Sequence, residues 1–498
     1  MRALKNQILP YTWLGFGLLY LFLPGINPSG DAVGYTGEYM QNAGSGKWLF
    51  SPHHLLYGPF GQFTYGLIGK HLTYYQIGKH LTYYHLWMQM MNAIAAAASL
   101  YLLKRCIEII TDQKTTAYVA VLLAGGAFAT MRFATENETY ILPLLFSLCG
   151  TWFLLGCHNE SKNGRPYLGF GLLAVAVLFH QIHCWWWLAA VLFSPADKQK
   201  WRAALVSLGL IVFAYIGAAV YQHKTWWTYP FSDALGGTVN LIPGIDNLKF
   251  SIINSIRVWV QVHGNIPYFL DEWPWLCAFV AFSAGFIAFA IFTKRIHVDN
   301  KKSQINSIHL RWLRFALLFQ FLWAVYSVGN AEFMVMIPFL LLLSCPGVLL
   351  NLQNRLFPAA LAILFWNLGV FLIPNSNIKT IRYEAELKLL MKIAEEEKLK
   401  TLTFIARERV MLENYLSIQT PDYQQRFRGA GIQLMDTDSL LSVQKQTVYT
   451  DMFDYPMPLS RNNMTQNKAF KKPANAVAVG SEPTLYGGLY IYKLPSKK

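Results

Sequence analysis

Long apolar runs separated by short polar segments occupy the first three quarters of the chain. One helical span of a bilayer needs about 20 apolar residues, and by that measure nine runs predict spanning helices. Their cores lie near residues 8–25, 86–103, 116–134, 139–157, 202–221, 274–293, 312–328, 333–350 and 356–374. The pattern predicts an all-α polytopic membrane protein.

A further apolar run, residues 166–195, is too long for one comfortable span and is interrupted by polar residues from His180 to His183. We interpret it as two short helices that form a hairpin, with both histidines at its outer turn. A single span would instead place the basic cluster Lys198–Arg202 outside, against the positive-inside rule. The prediction is therefore about eleven transmembrane helices, with the N-terminus in the cytoplasm and the C-terminus outside.

After residue 375 the pattern becomes that of a small polar domain. An amphipathic stretch around Ile381–Lys398 predicts a helix, and alternating or β-branched stretches at Thr401–Ala406, Ala476–Val479 and Leu489–Tyr492 predict strands. We expect a soluble α/β domain over residues 376–498, outside the membrane.

Residues 1–375 then form the transmembrane domain, which contains two long outer segments. Outer loop 1 covers about 26–84 and outer loop 3 about 223–273, and both are rich in aromatic and aliphatic residues. Such segments are typical of helices that lie in the membrane interface.

Composition supports the membrane assignment. Hydrophobic residues make up 54% of the 498-residue chain and charged residues only 14%, which excludes an ordinary soluble enzyme and a disordered chain. The formal net charge of +15 follows mostly from basic residues on the predicted cytoplasmic side, so we expect no nucleic-acid partner. The predicted location is the cytoplasmic membrane of a bacterium, in contact with its lipids.

Ionisable residues gather at the outer ends of the predicted helices, which is typical of a functional site in a membrane protein. The candidates are Asp31, Glu38, His53, His54, Arg132, Glu136, Glu138, His180, His183, Arg257 and Glu332.

Several of these candidates also have a structural interpretation. Asp31 is either a catalytic carboxylate or the N-cap of a helix that begins at Ala32. The acidic pair Glu136 and Glu138 is either part of the site or the polar first turn of the next helix. His180 and His183 are spaced i, i+3 and could share a divalent metal, although no third ligand is evident.

Three segments together resemble a known family. They are an Asp-x-x-x-Tyr-x-x-Glu-Tyr segment that begins at Asp31, a Ser-Pro-His-His-Leu-Leu-Tyr segment that begins at Ser51, and the acidic start of a later span at Glu332. This arrangement is similar to the GT-C class of glycosyltransferases, which use sugars linked to polyprenyl phosphate. Within that class it most resembles the protein O-mannosyltransferase-like branch.

The resemblance implies a GT-C-like helical fold with Asp31 as the catalytic carboxylate and a sugar on a lipid phosphate, for instance mannose, as the donor. The arginine that commonly holds the lipid phosphate in that family is not evident from the pattern, but Arg132, Lys224 and Arg257 are candidates. Asp31 would act as general base on an acceptor hydroxyl of a protein, lipid or glycan, in an inverting transfer. The alternatives are a transporter or flippase of lipid-linked sugars, and a glycan ligase or polymerase on the outer face.

Overall fold

A computed structural model describes most of the chain. The described residues are 11–42, 45, 47–69, 83–156, 165–195, 198–232, 245–262, 264–293, 307–327, 332–436, 447–453 and 472–494. Within them the protein is mostly helical, and its one five-stranded sheet lies near the C-terminus.

Seventeen α-helices precede the sheet-containing region among the described residues. They are α1 (Thr12–Phe22), α2 (Gly30–Asn42), α3 (Tyr57–Leu67), α4 (Tyr83–Thr111), α5 (Lys114–Gly126), α6 (Phe128–Ala134), α7 (Ile141–Gly156), α8 (Arg165–Phe179), α9 (Cys184–Phe193), α10 (Lys198–Tyr221), α11 (Ile245–Arg257), α12 (Ile266–Glu272), α13 (Cys277–Phe292), α14 (Ser307–Tyr326), α15 (Ile337–Ser344), α16 (Pro346–Asn367) and α17 (Ile373–Asn377).

Three helical stretches in the described part of the chain are long and apolar enough to cross a membrane. They are Lys198–Tyr221, Pro274–Phe292 and Pro346–Asn377. Helices α5 and α6 add a fourth if they are counted as one span that bends by 64°. Other apolar helices are shorter, between 10 and 17 residues. The fold is that of a helical membrane protein, and the count of eleven spans stays a prediction.

The run 166–195 does divide into two short helices. Helix α8 ends at Phe179, a single 3₁₀ turn covers Gln181–His183, and α9 follows. The break falls at the polar residues that interrupt the apolar run, as the two-helix interpretation requires.

The predicted span 333–350 is wrong in its boundaries. A 3₁₀ turn at Glu332–Met334 precedes the short helix α15, which ends at Ser344. Pro346 then starts α16, where proline is well tolerated because the first N–H groups of a helix have no partner within it. Arg355, which falls between the predicted spans 333–350 and 356–374, therefore lies inside α16.

The C-terminal region combines helices with the five-stranded sheet, as its sequence predicts, and the boundary of a separate domain at residue 376 stays a prediction. The region contains α18 (Arg382–Glu396), β1 (Leu402–Ile405), α19 (Arg409–Ser417), α20 (Pro421–Gly429), β2 (Ile432–Met435), β3 (Val448–Thr450), β4 (Val477–Pro483) and β5 (Gly488–Leu494). The strand order is β2-β1-β3-β5-β4. The pairs β1–β2 and β1–β3 are parallel, whereas β3–β5 and β4–β5 are antiparallel.

This domain packs directly on α2. Val33, on α2, is completely buried within the hydrophobic core of the C-terminal domain. The Arg382 backbone N–H donates to Asn27 Oδ1 at 3.0 Å, just before α2 begins. Helix α2 is consequently held between the helical domain and the C-terminal domain.

The turn between β4 and β5 makes a second contact between the two domains. The Asn265 backbone N–H and its side-chain amide donate to the carbonyls of Leu485 and Thr484, each at 3.1 Å. Leu485 is only 2% exposed and belongs to the core of the helical domain. The tip of this hairpin is therefore inserted into the helical domain.

Candidate active site

The first turn of α2 presents Asp31 to a cavity. Helix α2 begins at Gly30, and the Ala32 backbone N–H donates to Ser29 Oγ at 3.1 Å. The serine hydroxyl therefore caps the helix, and the interpretation of Asp31 as the N-cap is wrong. Asp31 is accessible from the cavity, where the positive end of the helix dipole favours a carboxylate.

The segment between α6 and α7 carries Glu136 and Glu138, and both are buried. Asn92 on α4 fixes this segment, since its side-chain amide donates to the carbonyl oxygens of both glutamates at 2.7 Å. The two glutamate side chains accept hydrogen bonds from Ser29, one from its backbone N–H and one from its hydroxyl. The acids are therefore connected to the residue that caps the helix of Asp31.

Three carboxylates from distant parts of the chain meet at this point. Asp31, Glu138 and Glu332 each place an oxygen within 4.8 Å of the others. Glu332 also accepts a hydrogen bond from the Tyr140 hydroxyl at 3.3 Å. We call Asp31, Glu138 and Glu332 the acidic trio.

The three carboxylates of the acidic trio are arranged so that they can bind a divalent cation. Without a cation, the same carboxyl groups can share protons. Carboxylate oxygens are the ligands that Mg²⁺, Ca²⁺ and Mn²⁺ prefer. Glu138 Oε2 is buried and has no hydrogen-bond partner in the part of the chain that the structure describes. The trio therefore fits a metal better than His180 and His183 do, because those two histidines do not belong to any metal-compatible group among the described residues.

Two arginines lie behind the acidic trio. Arg132 on α6 forms an ion pair with Glu136, with its Nε 3.7 Å from Oε2. Arg257, at the end of α11, is 8% exposed and donates from Nη1 to Asn254 Oδ1 at 3.0 Å. Burial lowers the pKa of Arg257 to about 10, and repulsion from Arg132 adds to this effect. Two neighbouring buried guanidinium groups are an arrangement that an anion would stabilise.

Burial and mutual repulsion shift the ionisation of the acids. The pKa of Asp31 is raised to about 7, first by burial and next by the charge of Glu332, while Arg132 opposes the shift. Burial also raises the pKa of Glu136 and of Glu138; Arg132 opposes the shift of Glu136, and Asp31 increases that of Glu138. A carboxyl group with a pKa near neutrality can exchange protons at physiological pH.

The cavity in front of Asp31 has a volume of about 860 Å³. Its polar end is formed by carboxylates and imidazoles, and its walls are mostly aromatic and aliphatic. The lining includes Asp31, His53, His54, Tyr140, His180, Trp185, Trp226, Trp227, Trp323 and Glu332. A cavity with one polar end and apolar walls suits an amphipathic ligand.

Three of the predicted histidines line this cavity. His54 and His180 are in edge-to-face contact, with ring centroids 4.4 Å apart, and burial lowers the pKa of His54 to about 3. His53 interacts through Nδ1 with Gln181 Oε1 at 2.9 Å. The Ile182 backbone N–H donates to His180 Nδ1 at 3.3 Å, which leaves the proton of the neutral ring on Nε2. His180 therefore offers an Nε2–H donor.

The other sequence candidates do not line the cavity, and this includes the residues described above, Arg132, Glu136, Glu138 and Arg257. His183 is buried against α7, where its Nδ1 is 2.7 Å from Ser147 Oγ, and it does not line the cavity. Glu38 lies two turns beyond Asp31 on α2 and is also absent from the lining. Lys224 is exposed and takes no part in the lining.

Sequence reasoning missed the polar residues that hold the acids in place. Ser29 and Tyr140 flank predicted acids in the chain, so their proximity was a usable signal. Asn92 had no such signal, because it lies within an apolar run and only the fold brings it to residues 136–138.

Comparison with known proteins gives a distant structural likeness. No protein-family model matches the chain, and no curated protein matches it significantly. The structure is similar to that of ArnT from Cupriavidus metallidurans bound to undecaprenyl phosphate, with 11% identity, a TM-score of 0.43, and coverage of 98% of this chain and 97% of that chain. Its similarity to the apo state of the same protein has 12% identity, a TM-score of 0.40, and coverage of 99% and 98%. These TM-scores are too low to establish a common fold, so we base the functional proposal on the site itself.

Proposed function

We propose that the protein is an integral-membrane glycosyltransferase that moves a sugar from a lipid-phosphate donor to an acceptor hydroxyl, with Asp31 as general base. The observation that carries this proposal is the position of Asp31. It is a cavity-exposed carboxylate with a pKa near neutrality, and two buried arginines lie behind its acidic neighbours.

The proton transfer follows from the placement of Asp31. The acceptor hydroxyl gives its proton to the Asp31 carboxylate while its oxygen attacks the anomeric carbon of the donor sugar. The bond between that carbon and the phosphate oxygen breaks, and the electron pair leaves with the lipid phosphate. Attack from the side opposite the phosphate inverts the anomeric centre, which is the stereochemistry that we propose.

The departing lipid phosphate needs positive charge but no proton, because a phosphate is a good leaving group. Arg132 and Arg257 are the cations that we assign to this role. Guanidinium groups match the oxygens of a phosphate and form strong charge-assisted hydrogen bonds. The base role that we assign to Asp31 applies to the metal-free site, because a divalent cation on the acidic trio would take the Asp31 carboxylate as a ligand.

The walls of the cavity fit the other parts of the substrates. Trp226, Trp227 and Trp323 offer aromatic faces on which a sugar ring or an isoprenoid chain can pack. His180 Nε2–H and the imidazole of His53 are placed to hydrogen-bond sugar hydroxyls. We further propose that the cavity and the C-terminal domain are on the outer side of the membrane, as the distribution of basic residues predicts.

The test is a transfer assay in proteoliposomes with a panel of radiolabelled polyprenyl-phosphate sugars, with membrane extract supplied as the source of acceptor. We expect one donor to yield a labelled acceptor together with free polyprenyl phosphate. Movement of the intact donor between leaflets without cleavage would instead identify a flippase. Products formed only from pyrophosphate-linked oligosaccharides would identify a ligase or polymerase. Parallel reactions with EDTA establish whether the acidic trio needs a metal.

A further inference from the structure

Tyr486 of the C-terminal domain lies close enough to Arg132 and Arg257 for the charges of these groups to influence one another. This residue lies in the turn between β4 and β5, and the turn is closed by hydrogen bonds from the Thr484 N–H and hydroxyl to the Gly487 carbonyl at 2.8 and 2.7 Å. Its neighbour Leu485 is anchored in the core of the helical domain, and the Tyr486 ring packs against the same core. The turn therefore holds Tyr486 in a defined place.

Hydrogen bonds connect the chain segments that carry Arg132, Arg257 and Tyr486. The N–H groups of Phe128 and Ala129, at the start of α6, donate to the carbonyls of Trp259 and Val258 at 3.1 and 3.0 Å. These bonds join the helix of Arg132 to the segment that follows Arg257. Asn265, farther along that segment, holds the turn of Tyr486.

The electrostatics agree with this placement. Burial raises the pKa of the Tyr486 hydroxyl above the ordinary value, so the group is a neutral donor at physiological pH. The charges of Arg132 and Arg257 lower this pKa and the charge of Glu136 raises it, which places the hydroxyl near these groups. A neutral O–H beside two guanidinium groups adds a donor to an anion site without adding a negative charge.

We propose that the C-terminal domain completes the phosphate-binding part of the site, with the Tyr486 hydroxyl donating to a phosphate oxygen that Arg132 and Arg257 hold. This inference rests on the proposed function for the identity of the ligand, a lipid-linked phosphate. It gives the C-terminal domain a direct role in substrate binding.

The experiment measures binding of undecaprenyl phosphate to the purified full-length protein in detergent, with undecaprenol as the ligand that lacks the phosphate. Tyr486→Phe removes the hydroxyl and keeps the ring that packs on the core. We expect this variant to bind undecaprenyl phosphate about tenfold more weakly, the loss expected for one hydrogen bond to a charged group. Any binding of undecaprenol should not change. Thermal melting verifies that the variant is folded.

Tyr490→Phe is the matched control, because Tyr490 is a 38% exposed tyrosine on the adjoining strand β5. It should bind as the wild type does. Unchanged binding in Tyr486→Phe would overturn the proposal, and so would a variant that loses sugar transfer but binds undecaprenyl phosphate normally.

Inorganic phosphate as a competitor separates this inference from the proposed function. Wild-type protein that binds neither undecaprenyl phosphate nor inorganic phosphate would overturn the anion site and the role of Tyr486. Protein that binds phosphate in a Tyr486-dependent way but transfers no sugar from any donor would support the anion site and contradict the glycosyltransferase.

Discussion

Asp31 combines access to the cavity with a raised pKa, although an accessible carboxylate usually keeps its ordinary pKa. It is open to the cavity, yet burial and the charge of Glu332 raise its pKa to about 7. A carboxylate with an ordinary pKa is a weak base, whereas one with a pKa near the working pH takes a proton more readily and is still substantially ionised. The environment of Asp31 therefore suits proton abstraction from an acceptor hydroxyl.

The raised pKa predicts how the rate of sugar transfer depends on pH. Asp31 acts as a base only when ionised, so kcat/KM should fall as the pH drops below about 7 and level off above it. An unperturbed carboxylate would stay ionised to below pH 5, given its ordinary pKa of about 4. The measurement is kcat/KM in vesicles from pH 5 to 9. A profile that is flat down to pH 5 would contradict the assigned environment of Asp31.

At the scale of the element, α2 is positioned from two sides. On one side Thr36 accepts a hydrogen bond from the Asn137 side chain at 3.1 Å, and Tyr39 stacks on Tyr84 with ring centroids 3.8 Å apart. On the other side Val33 and Gly37 meet the C-terminal domain. The position of Asp31 therefore depends on both domains.

Gly37 tests this arrangement, because α19 packs closely against it. A Cβ at Gly37 would lie 3.7 Å from Ser417 Oγ, an ordinary van der Waals distance, but a larger side chain has no such space. We expect Gly37→Leu to displace α2 and lower kcat on the order of 100-fold, since an ångström of misplacement can cost that much.

Gly37→Ala is the control for this change, because its methyl group fits the space beside Ser417. Its transfer rate should be within a few-fold of wild type. Equal rates for Gly37→Leu and the wild type would show that contact with the C-terminal domain does not position Asp31.

At the scale of the whole molecule, the sequence predicts some of the local elements and misses others, such as α19, α20, β2 and β3. Apolar periodicity and alternation locate α18, β1, β4 and β5, and the polar interruption in 166–195 marks the break between α8 and α9. These features depend on residues that are close together in the chain. The wrong boundary at 333–350 also arises from reading only the local pattern. The apolar run continues through residue 345, so the pattern does not show that a new helix begins at Pro346.

The site itself was predictable only as a set of candidates. Asp31, Glu138 and Glu332 are separated by about a hundred residues or more in the chain, and no periodicity shows that their oxygens meet. Tyr486 lies still farther away, in a domain whose sequence shows no sign of contact with Arg132. Long-range packing, and not local pattern, brings these groups together.

The most direct test of the account compares single-turnover sugar transfer by the wild type and by Asp31→Asn. The substitution keeps the size of the side chain but removes the base, so we expect a rate lower on the order of 100-fold to 10,000-fold. Undecaprenyl phosphate should still bind, because the arginines are intact. The control is Asp271→Asn, which changes an exposed aspartate on α12 and should transfer sugar as the wild type does. Full activity in Asp31→Asn would contradict the central claim and direct the search for the base to Glu138 and Glu332.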